Sequence, residues 1–328
     1  MRYFITGATG FVGGRVAQML VNDGHQVVAV VRTPAKATDL TKLGIEIHQG
    51  DVIDKASMRA PMTGVDGVFH IAGWYKIGAK DKSDGVKVNI EGTRNVLELM
   101  QELKIAKGVY TSTLAVNSDT HGREVNEKYH FDGRHLTEYD RTKAEAHKIA
   151  DAFIANGLPL VILMPGMIYG PGDTSSARTT FVEYLQRKLP MIPQQTAFSA
   201  AHVDDIARAH ITAMEKAKPG ETYIVAGPTH TLVDILHTAE EITGIPTPRS
   251  APPWVFSALS SVMGVAERFT ELPETYRSEY LRVAAGTTYI GDASKAKREL
   301  GYNPRSLKEG LTETLQHEMR LLGIPLSR

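Results

Sequence analysis

The stretch Thr6-Gly-Ala-Thr-Gly-Phe-Val-Gly13 decides the fold. It lies between a short apolar run, residues 3–5, and an amphipathic stretch, residues 11–21. A strand that passes through three glycines into a helix brings backbone N–H groups, the positive end of a helix dipole and no side-chain bulk to one point. The pyrophosphate of a dinucleotide needs that environment. Gly7 allows the tight turn, Gly10 lets the backbone approach the phosphates, and Gly13 lets the helix pack closely on the strand. The spacing Gly-x-x-Gly-x-x-Gly is one residue longer than the common fingerprint, so the rest of the chain has to support it.

Outward from this turn, apolar β-branched runs alternate with helical patterns. Strands are expected at 2–6, 26–32, 45–49, 67–72, 108–113 and 160–164, and helices near 11–22, 34–43, 55–60, 86–104 and 138–156. This alternation predicts an α/β fold, a Rossmann-type doubly wound parallel sheet with helices on both faces. Right-handed crossovers then align ligands along the carboxyl edge of the strands. After Pro165 the pattern changes. Gly166, Gly170, Pro171 and Gly172 mark a loop, followed by helices near 177–188 and 203–216 and a short strand near 222–225. Helices are expected again around 231–243, 254–269, 274–285, 292–300 and 306–322. The expected division is a dinucleotide-binding domain, 1–165, and a smaller, mostly helical substrate-binding lobe, 166–328, with a strand able to return to the main sheet.

Composition narrows the function. The 328 residues carry 37 basic and 37 acidic side chains, a balance that favours neither nucleic acid nor an anionic membrane as partner. There is no cysteine, which removes disulfides, thiolate chemistry and cysteine-ligated metal sites together. The 12 histidines include no His-x-x-x-His or His-Glu-x-x-His pair, so no metal site is expected. The chain enters a strand at once, without the pattern of a signal peptide. The apolar stretch 254–265 is interrupted by Ser257, Ser260, Ser261 and Gly264 and is too short to span a bilayer. A cytoplasmic enzyme acting on a small molecule is the expectation.

The second informative group is Tyr139-Asp-Arg-Thr-Lys143, at the start of an expected helix. A spacing of four puts both side chains on one face. A phenol with a pKa of ~10 is a poor proton carrier at neutral pH, and a nearby ammonium lowers that value. A solvated Tyr/Lys pair is the plain alternative. Upstream, the strand 108–113 ends in Thr111-Ser112-Thr113, whose hydroxyls can donate to a substrate oxygen or simply cap the next loop.

In this order, the glycine turn, the hydroxyl-ended strand and Tyr-x-x-x-Lys resemble the extended branch of the short-chain dehydrogenase/reductase superfamily, which includes the NAD-dependent epimerases and dehydratases. Supporting matches are His70-Ile-Ala-Gly73, Val88-Asn89-Ile-Glu-Gly-Thr93, Pro165-Gly-Met-Ile-Tyr-Gly-Pro171 and His202-Val-Asp-Asp-Ile-Ala-Arg-Ala-His210. The resemblance implies that Tyr139 is the general acid/base and that Lys143 tunes it and holds the nicotinamide ribose. It makes Thr113 or Ser112 the carbonyl-polarising hydroxyl, with Thr113 favoured. Asn89 resembles a family asparagine that steadies the active-site helix, although a helix cap explains it equally well. Thr9, Phe11 and Val12 join Gly7, Gly10 and Gly13 as expected cofactor contacts. Asp51 and Val52 are expected at the adenine, Ile71, Ala72 and Gly73 at the ribose and pyrophosphate, and Pro165 and Ile168 beside the nicotinamide. Such proteins often dimerise through two long helices, here 86–104 and 138–156. The stripe Val88, Val96, Leu97, Leu99 and Met100 suits that role or burial against the sheet.

Strand two ends in Arg32, with Lys36 four residues on and no acid between them. An NAD enzyme of this type usually carries an acid there, whereas Arg32 can bind a 2′-phosphate through paired donors. NADP is therefore the expected cofactor, with NAD as the alternative. The segment Val68-Phe-His-Ile-Ala72 and Arg32 resemble the dihydroflavonol-reductase-like carbonyl reductases. Met164-Pro-Gly-Met167 lacks the Arg-x-x-Asn pattern of sugar-nucleotide enzymes. The resemblance thus implies reduction of a ketone or aldehyde by hydride transfer, with Tyr139 donating the proton. The alternatives are a nucleotide-sugar epimerase or dehydratase with tightly held NAD, an isomerising hydroxysteroid-type dehydrogenase, and a non-enzymatic NADP-binding regulator. Tyr169 and His202 are each read as a pocket contact or as packing, and 254–269 as a lid or as core.

Overall fold

The computed structural model describes residues 1–325, so the last three positions of the expected C-terminal lobe lie outside the described residues. Strand β1 (Arg2–Thr6) pairs in parallel with β2 (Gln26–Val31) on one side and β4 (Gly67–His70) on the other, and β3 (Glu46–Gln49) extends the β2 edge. Beyond β4 lie β5 (Gly108–Thr111) and β6 (Leu160–Pro165). In the second half come β7 (Met167–Tyr169), β8 (Ile192–Pro193), β9 (Ala197–His202), β10 (Thr222–Val225), β11 (Thr229–Thr231), β12 (Ser250–Ala251) and β13 (Thr288–Tyr289). The main sheet has seven parallel strands in the order β10-β6-β5-β4-β1-β2-β3, so its outermost strand on one side comes from beyond residue 166.

The helices are α1 (Phe11–Asn22), α2 (Thr38–Lys42), α3 (Lys55–Met62), α4 (Gly92–Glu102), α5 (Glu138–Ala155) and α6 (Ser176–Leu185). They continue with α7 (Val203–Lys216), α8 (Leu232–Thr243), α9 (Pro253–Ala266), α10 (Ser278–Ala284), α11 (Ser294–Leu300) and α12 (Leu307–Leu322). Alternate strand residues feed two cores, as a period of two requires. Ile5, Ala29, Phe69 and Leu163 meet α1, α7 and α11 on one face. Phe4, Val28, Val68 and Ile162 meet α3, α4 and α5 on the other. The stripe Val96, Leu97, Leu99 and Met100 is buried in this second core, against the chain's own sheet.

Several expected elements end early for visible reasons. The expected strand 67–72 stops at His70, because Ile71 and Ala72 turn their N–H groups onto the Thr6 hydroxyl at 3.1 Å each. The expected strand 108–113 stops at Thr111, and Thr113 caps a 3₁₀ turn, Leu114–Asn117, by accepting from the N–H of Ala115. The expected helix 34–43 divides into a 3₁₀ turn, Pro34–Lys36, and α2. The expected helix 86–104 begins as a π-helical segment, Gly85–Glu91, before α4.

The C-terminal lobe is mostly helical, but it also holds a four-stranded sheet in which β9 pairs with β7, β11 and β13. Sequence patterning did not reveal that sheet. β9 reads Ala-Phe-Ser-Ala-Ala-His, with no β-branched residue and no alternation, and so lacks both usual strand signals. Among the described residues no helix is long and apolar enough to cross a membrane.

The β1–α1 junction is the tightest point of the fold. Gly7 has φ +75°, and a Cβ there would stand 2.7 Å from the Ala72 backbone nitrogen. A Cβ on Gly13 would stand 2.1 Å from the carbonyl oxygen of Gly7. Backbone cannot yield that distance cheaply. Gly13→Ala is therefore expected to destabilise the protein by at least about 1–3 kcal/mol, read as a lowered urea midpoint at unchanged slope. A midpoint equal to the parent's would refute the close-packing role.

Candidate functional site

The carboxyl ends of β1, β2, β4, β5 and β6 open onto one large cleft of ≈ 1310 Å³ between the main sheet and the C-terminal lobe. The glycine turn forms its floor, with Gly7, Gly10 and Gly13 lining it beside Thr9, Phe11 and Val12. Helix α1 starts there, so its first N–H groups and its positive dipole end meet the cleft.

A buried relay of hydrogen bonds holds this floor. The Thr6 hydroxyl uses its two lone pairs on the N–H groups of Ile71 and Ala72, so its own proton goes to His70 Nδ1, 2.8 Å away. His70 Nε2 then carries the ring proton and donates to the Thr93 hydroxyl at 3.0 Å. Burial pushes the His70 pKa down to about 3, with Lys143 adding to the effect, so the ring is neutral and keeps this tautomer. Ile71, Ala72 and Gly73 thereby line the cleft directly after β4.

At the β2 end, Arg32 lines the cleft from an exposed position, and Asp51 and Val52 line it after β3. Lys36 does not join them: it sits exposed on the Pro34–Lys36 turn, outside the cleft lining. Pro165 and Ile168 line the cleft at the end of β6 and in β7.

Tyr139 and Lys143, one turn apart on α5, both line the cleft. Thr113 hydrogen-bonds the Tyr139 phenol in the sense that stabilises the phenolate. Ser112 is engaged elsewhere, its hydroxyl 2.7 Å from His147 Nδ1. The two hydroxyls that sequence left open are thus separated by their partners. Lys143 donates to the Thr111 carbonyl at 2.8 Å and to the Tyr110 hydroxyl at 3.2 Å, and lies 4.8 Å above the Tyr110 ring. Desolvation lowers its pKa to about 7. The Tyr139 phenol moves the other way, pushed up to about 12 by burial, with Thr113 opposing and the Asp140 charge reinforcing the rise. The sequence leads one to expect Lys143 to lower the phenol; here the net shift is upward, set by burial, and the group that lowers it is Thr113.

Asn89 clamps rather than caps. Its Oδ1 accepts the Trp74 N–H at 2.7 Å, and its Nδ2 donates to the Trp74 carbonyl at 2.9 Å and the Thr142 hydroxyl at 3.0 Å. It ties the loop after β4 to the helix of Tyr139 and Lys143. Three groups escaped sequence reasoning. Asp140, buried beside Tyr139, accepts from the Thr137 hydroxyl at 2.7 Å and from the Tyr289 hydroxyl at 3.1 Å. Tyr289, on β13, stacks against Phe198 with ring centroids 6.1 Å apart. Glu279, on α10, accepts from the Gly78 N–H at 2.7 Å and the Glu138 N–H at 2.8 Å, so it pins the cleft's rim to the first turn of α5. The acid directly after the tyrosine was a visible signal for Asp140; nothing local marked the other two.

Tyr169 and His202 are packing residues, 1% and 0% exposed and edge-to-face on each other. His202, Asp204 and Glu313 come within 4.8 Å of one another, but the Arg305 guanidinium already stands 3.1 Å from Glu313 and 3.9 Å from Asp204. Helix α9 is both wall and surface: Phe256, Leu259 and Met263 line the cleft while Trp254 and Val262 are exposed.

An enzyme of the extended short-chain dehydrogenase/reductase type is built in this way. The chain belongs to the NAD dependent epimerase/dehydratase family, whose sequence profile matches residues 3–226, and the family is NAD(P)-dependent. It is 30% identical over 329 residues to a Synechocystis sp. protein named, provisionally, a dihydroflavonol 4-reductase, covering 95% of this chain and 93% of the other. It is 28% identical to a 2-alkyl-3-oxoalkanoate reductase of Shewanella oneidensis, covering 94% of this chain and 84% of the other. The crystal structure of gox2253 superposes with a TM-score of 0.84 at 27% identity, covering 98% of each chain.

Burial pushes the Asp140 carboxyl up to about 7 from its ordinary 3.8. Between those values the unfolded chain has lost the proton that the folded protein keeps, so stability falls as pH rises from about 4 to about 7. Asp140→Asn removes this slope. The melting temperature of the parent minus that of Asp140→Asn should decrease across this pH window and level off above about 8. A constant difference across the window would show that Asp140 does not titrate there.

Proposed function

We propose that the protein is an NADP(H)-dependent oxidoreductase that reduces a ketone or aldehyde to an alcohol. The observation that carries this reading is the Tyr139 phenol on the wall of a cleft floored by the glycine turn, with the Thr113 hydroxyl bonded to it. A phenol pushed up to about 12 holds its proton at neutral pH, so its donation depends on groups that stabilise the phenolate, of which the Thr113 hydroxyl is one.

The residues present fit a dinucleotide. The cradle at Gly7 and Gly13 is one that a Cβ would fill, and the N-terminus of α1 opens onto it. Gly7, Gly10 and Gly13 with Thr9, Phe11 and Val12 would hold the pyrophosphate. Asp51 and Val52 would meet the adenine, Ile71, Ala72 and Gly73 the ribose, and Lys143, Pro165 and Ile168 the nicotinamide end. Arg32, at the end of β2 on the cleft wall, favours a 2′-phosphate by charge-assisted paired hydrogen bonds. When bound, this cofactor supplies the hydride that a carbonyl carbon accepts. Tyr139 donates its proton to the carbonyl oxygen. The Thr113 hydroxyl, already positioned by the Ala115 N–H, stabilises the phenolate left behind. Lys143 stays buried against Thr111 and Tyr110, close enough to the site to act on developing negative charge. Asn89 and Glu279 fix the position of α5 and so of the phenol. The reductase names of the relatives at 30% and 28% identity agree with this direction of chemistry.

Two substitutions test the reading. Tyr139→Phe should lower kcat by about 10²–10⁴-fold while NADPH affinity, followed by nicotinamide fluorescence, stays within about twofold. A near-parental turnover would remove Tyr139 from the chemistry. Arg32→Asp should weaken NADPH binding by on the order of tenfold or more relative to NADH. An unchanged ratio of the two dissociation constants would take Arg32 out of the cofactor site. Formation of product isomers from a nucleotide sugar, with no net consumption of NADPH, would favour an epimerase instead.

A further inference from the structure

Resting on the carbonyl-reductase reading, we propose that the half of the cleft beyond Tyr139 takes a carbonyl compound whose far end is an extended, uncharged apolar group, and that it rejects an anion at that end.

The argument starts from what lines each half. Four basic side chains line the cleft, Arg15, Arg32, Lys76 and Lys143. All belong to the first 165 residues. Arg15 is already used, donating to the Pro171 carbonyl at 3.2 Å and lying 3.4 Å from Asp204. Lys143 is held by Thr111 and Tyr110. From residue 166 onward, the cleft lining among the described residues contains no lysine, arginine or histidine. The walls there are aliphatic and aromatic: Phe181 from α6, Ile192 from β8, Ile235 from α8, and Phe256, Leu259 and Met263 from α9.

The polar side chains in this compartment argue in the same direction. Thr180 is paired with Tyr280, and Thr196 donates to the Ala284 carbonyl. The charged residues from this half are Asp173 and Glu183, both acids. Asp173 is engaged by Ser175, and burial raises the carboxyls of both. A diphosphate or a terminal carboxylate placed here would meet acids and hydrocarbon and, from residue 166 onward, no cation, which is costly in a compartment of low polarity. The solvent-exposed Lys76, on the loop after β4 that Tyr75 joins to Thr174 at 2.8 Å, is left outside the apolar walls. Methylene groups placed here leave water for apolar walls, which is worth about two- to fourfold in affinity for each one.

The experiment uses the full chain and the methyl ketones from 2-butanone to 2-dodecanone, with the ω-carboxylate of the longest. Binding to protein saturated with NADP⁺ is measured by calorimetry, and turnover with NADPH by absorbance. Affinity and kcat/KM should rise about two- to fourfold per methylene over several carbons, and the ω-carboxylate should fall at least about tenfold below its uncharged counterpart. Leu259→Ala and Met263→Ala, at two half-exposed positions on α9, should each flatten the rise. Affinity that is flat or undetectable along the series, or a preference for the carboxylate, overturns the proposal. Affinity that climbs with length while no ketone consumes NADPH keeps the apolar compartment and overturns the reductase reading instead.

Discussion

The site depends on the contact between the backbone of Gly7 and its two neighbours, the loop after β4 and the first turn of α1. Neither neighbour leaves room for a Cβ: one would lie 2.7 Å from Ala72 nitrogen at Gly7 and 2.1 Å from Gly7 oxygen at Gly13. This contact makes the Thr6 hydroxyl reachable by the N–H groups of Ile71 and Ala72, which ends β4 two residues sooner than its apolar run suggests. Ending β4 there sends the chain through Gly73 to Trp74, where Asn89 takes hold of it and passes the constraint to Thr142 on α5. A close approach at the start of the chain therefore sets the position of a helix more than a hundred residues later.

Helix α5 carries its functional groups in a dry environment. Lys143 and Asp140 are 5% and 1% exposed, and the shared cause moves each toward its neutral form: the lysine and the acid both to about 7, the phenol to about 12. Hydrogen bonds temper the effect selectively. Asp140 receives hydroxyls from Thr137 and Tyr289, while Tyr139 receives one from Thr113. Burial therefore keeps the Tyr139 phenol protonated at neutral pH and makes it a weaker acid, because a buried phenolate has little solvation, and the Thr113 hydroxyl works against that cost.

What could be read in the sequence was what is local. The glycine spacing, the β-branched runs that become β1 to β6, and the four-residue step from Tyr139 to Lys143 each belong to a single element or junction, where short-range geometry decides the outcome. Strand β9 was not legible, because Ala-Phe-Ser-Ala-Ala-His becomes a strand through pairing with β7, β11 and β13 rather than through its own preference. Tyr289 reaches Asp140 across 149 residues and Glu279 reaches Glu138 across 141, separations at which no spacing rule operates. The choice between Ser112 and Thr113 is of the same kind, since His147 on α5 takes the serine. Lys36 had the right charge and nearly the right position, yet Pro34 starts a 3₁₀ turn that leaves it outside the cleft.

The two halves of the cleft differ because their backbones do. At the carboxyl edge of a parallel sheet the strands stop, and loops and helix starts expose unpaired N–H groups, so the first half offers donors suited to an anionic cofactor. The second half is covered by α6, α8, α9 and α10, whose backbone groups are mostly satisfied within the helices and which turn side chains to the cleft. Its chemistry is then set by side chains alone, and those are chiefly apolar. Glu279 joins the halves by binding the rim at Gly78 and the start of α5 with one carboxylate. The phenol lies at that seam, between a half lined by glycine-turn and loop residues and a half lined chiefly by apolar side chains, and the proposed reduction of a neutral carbonyl on an apolar body rests on that division.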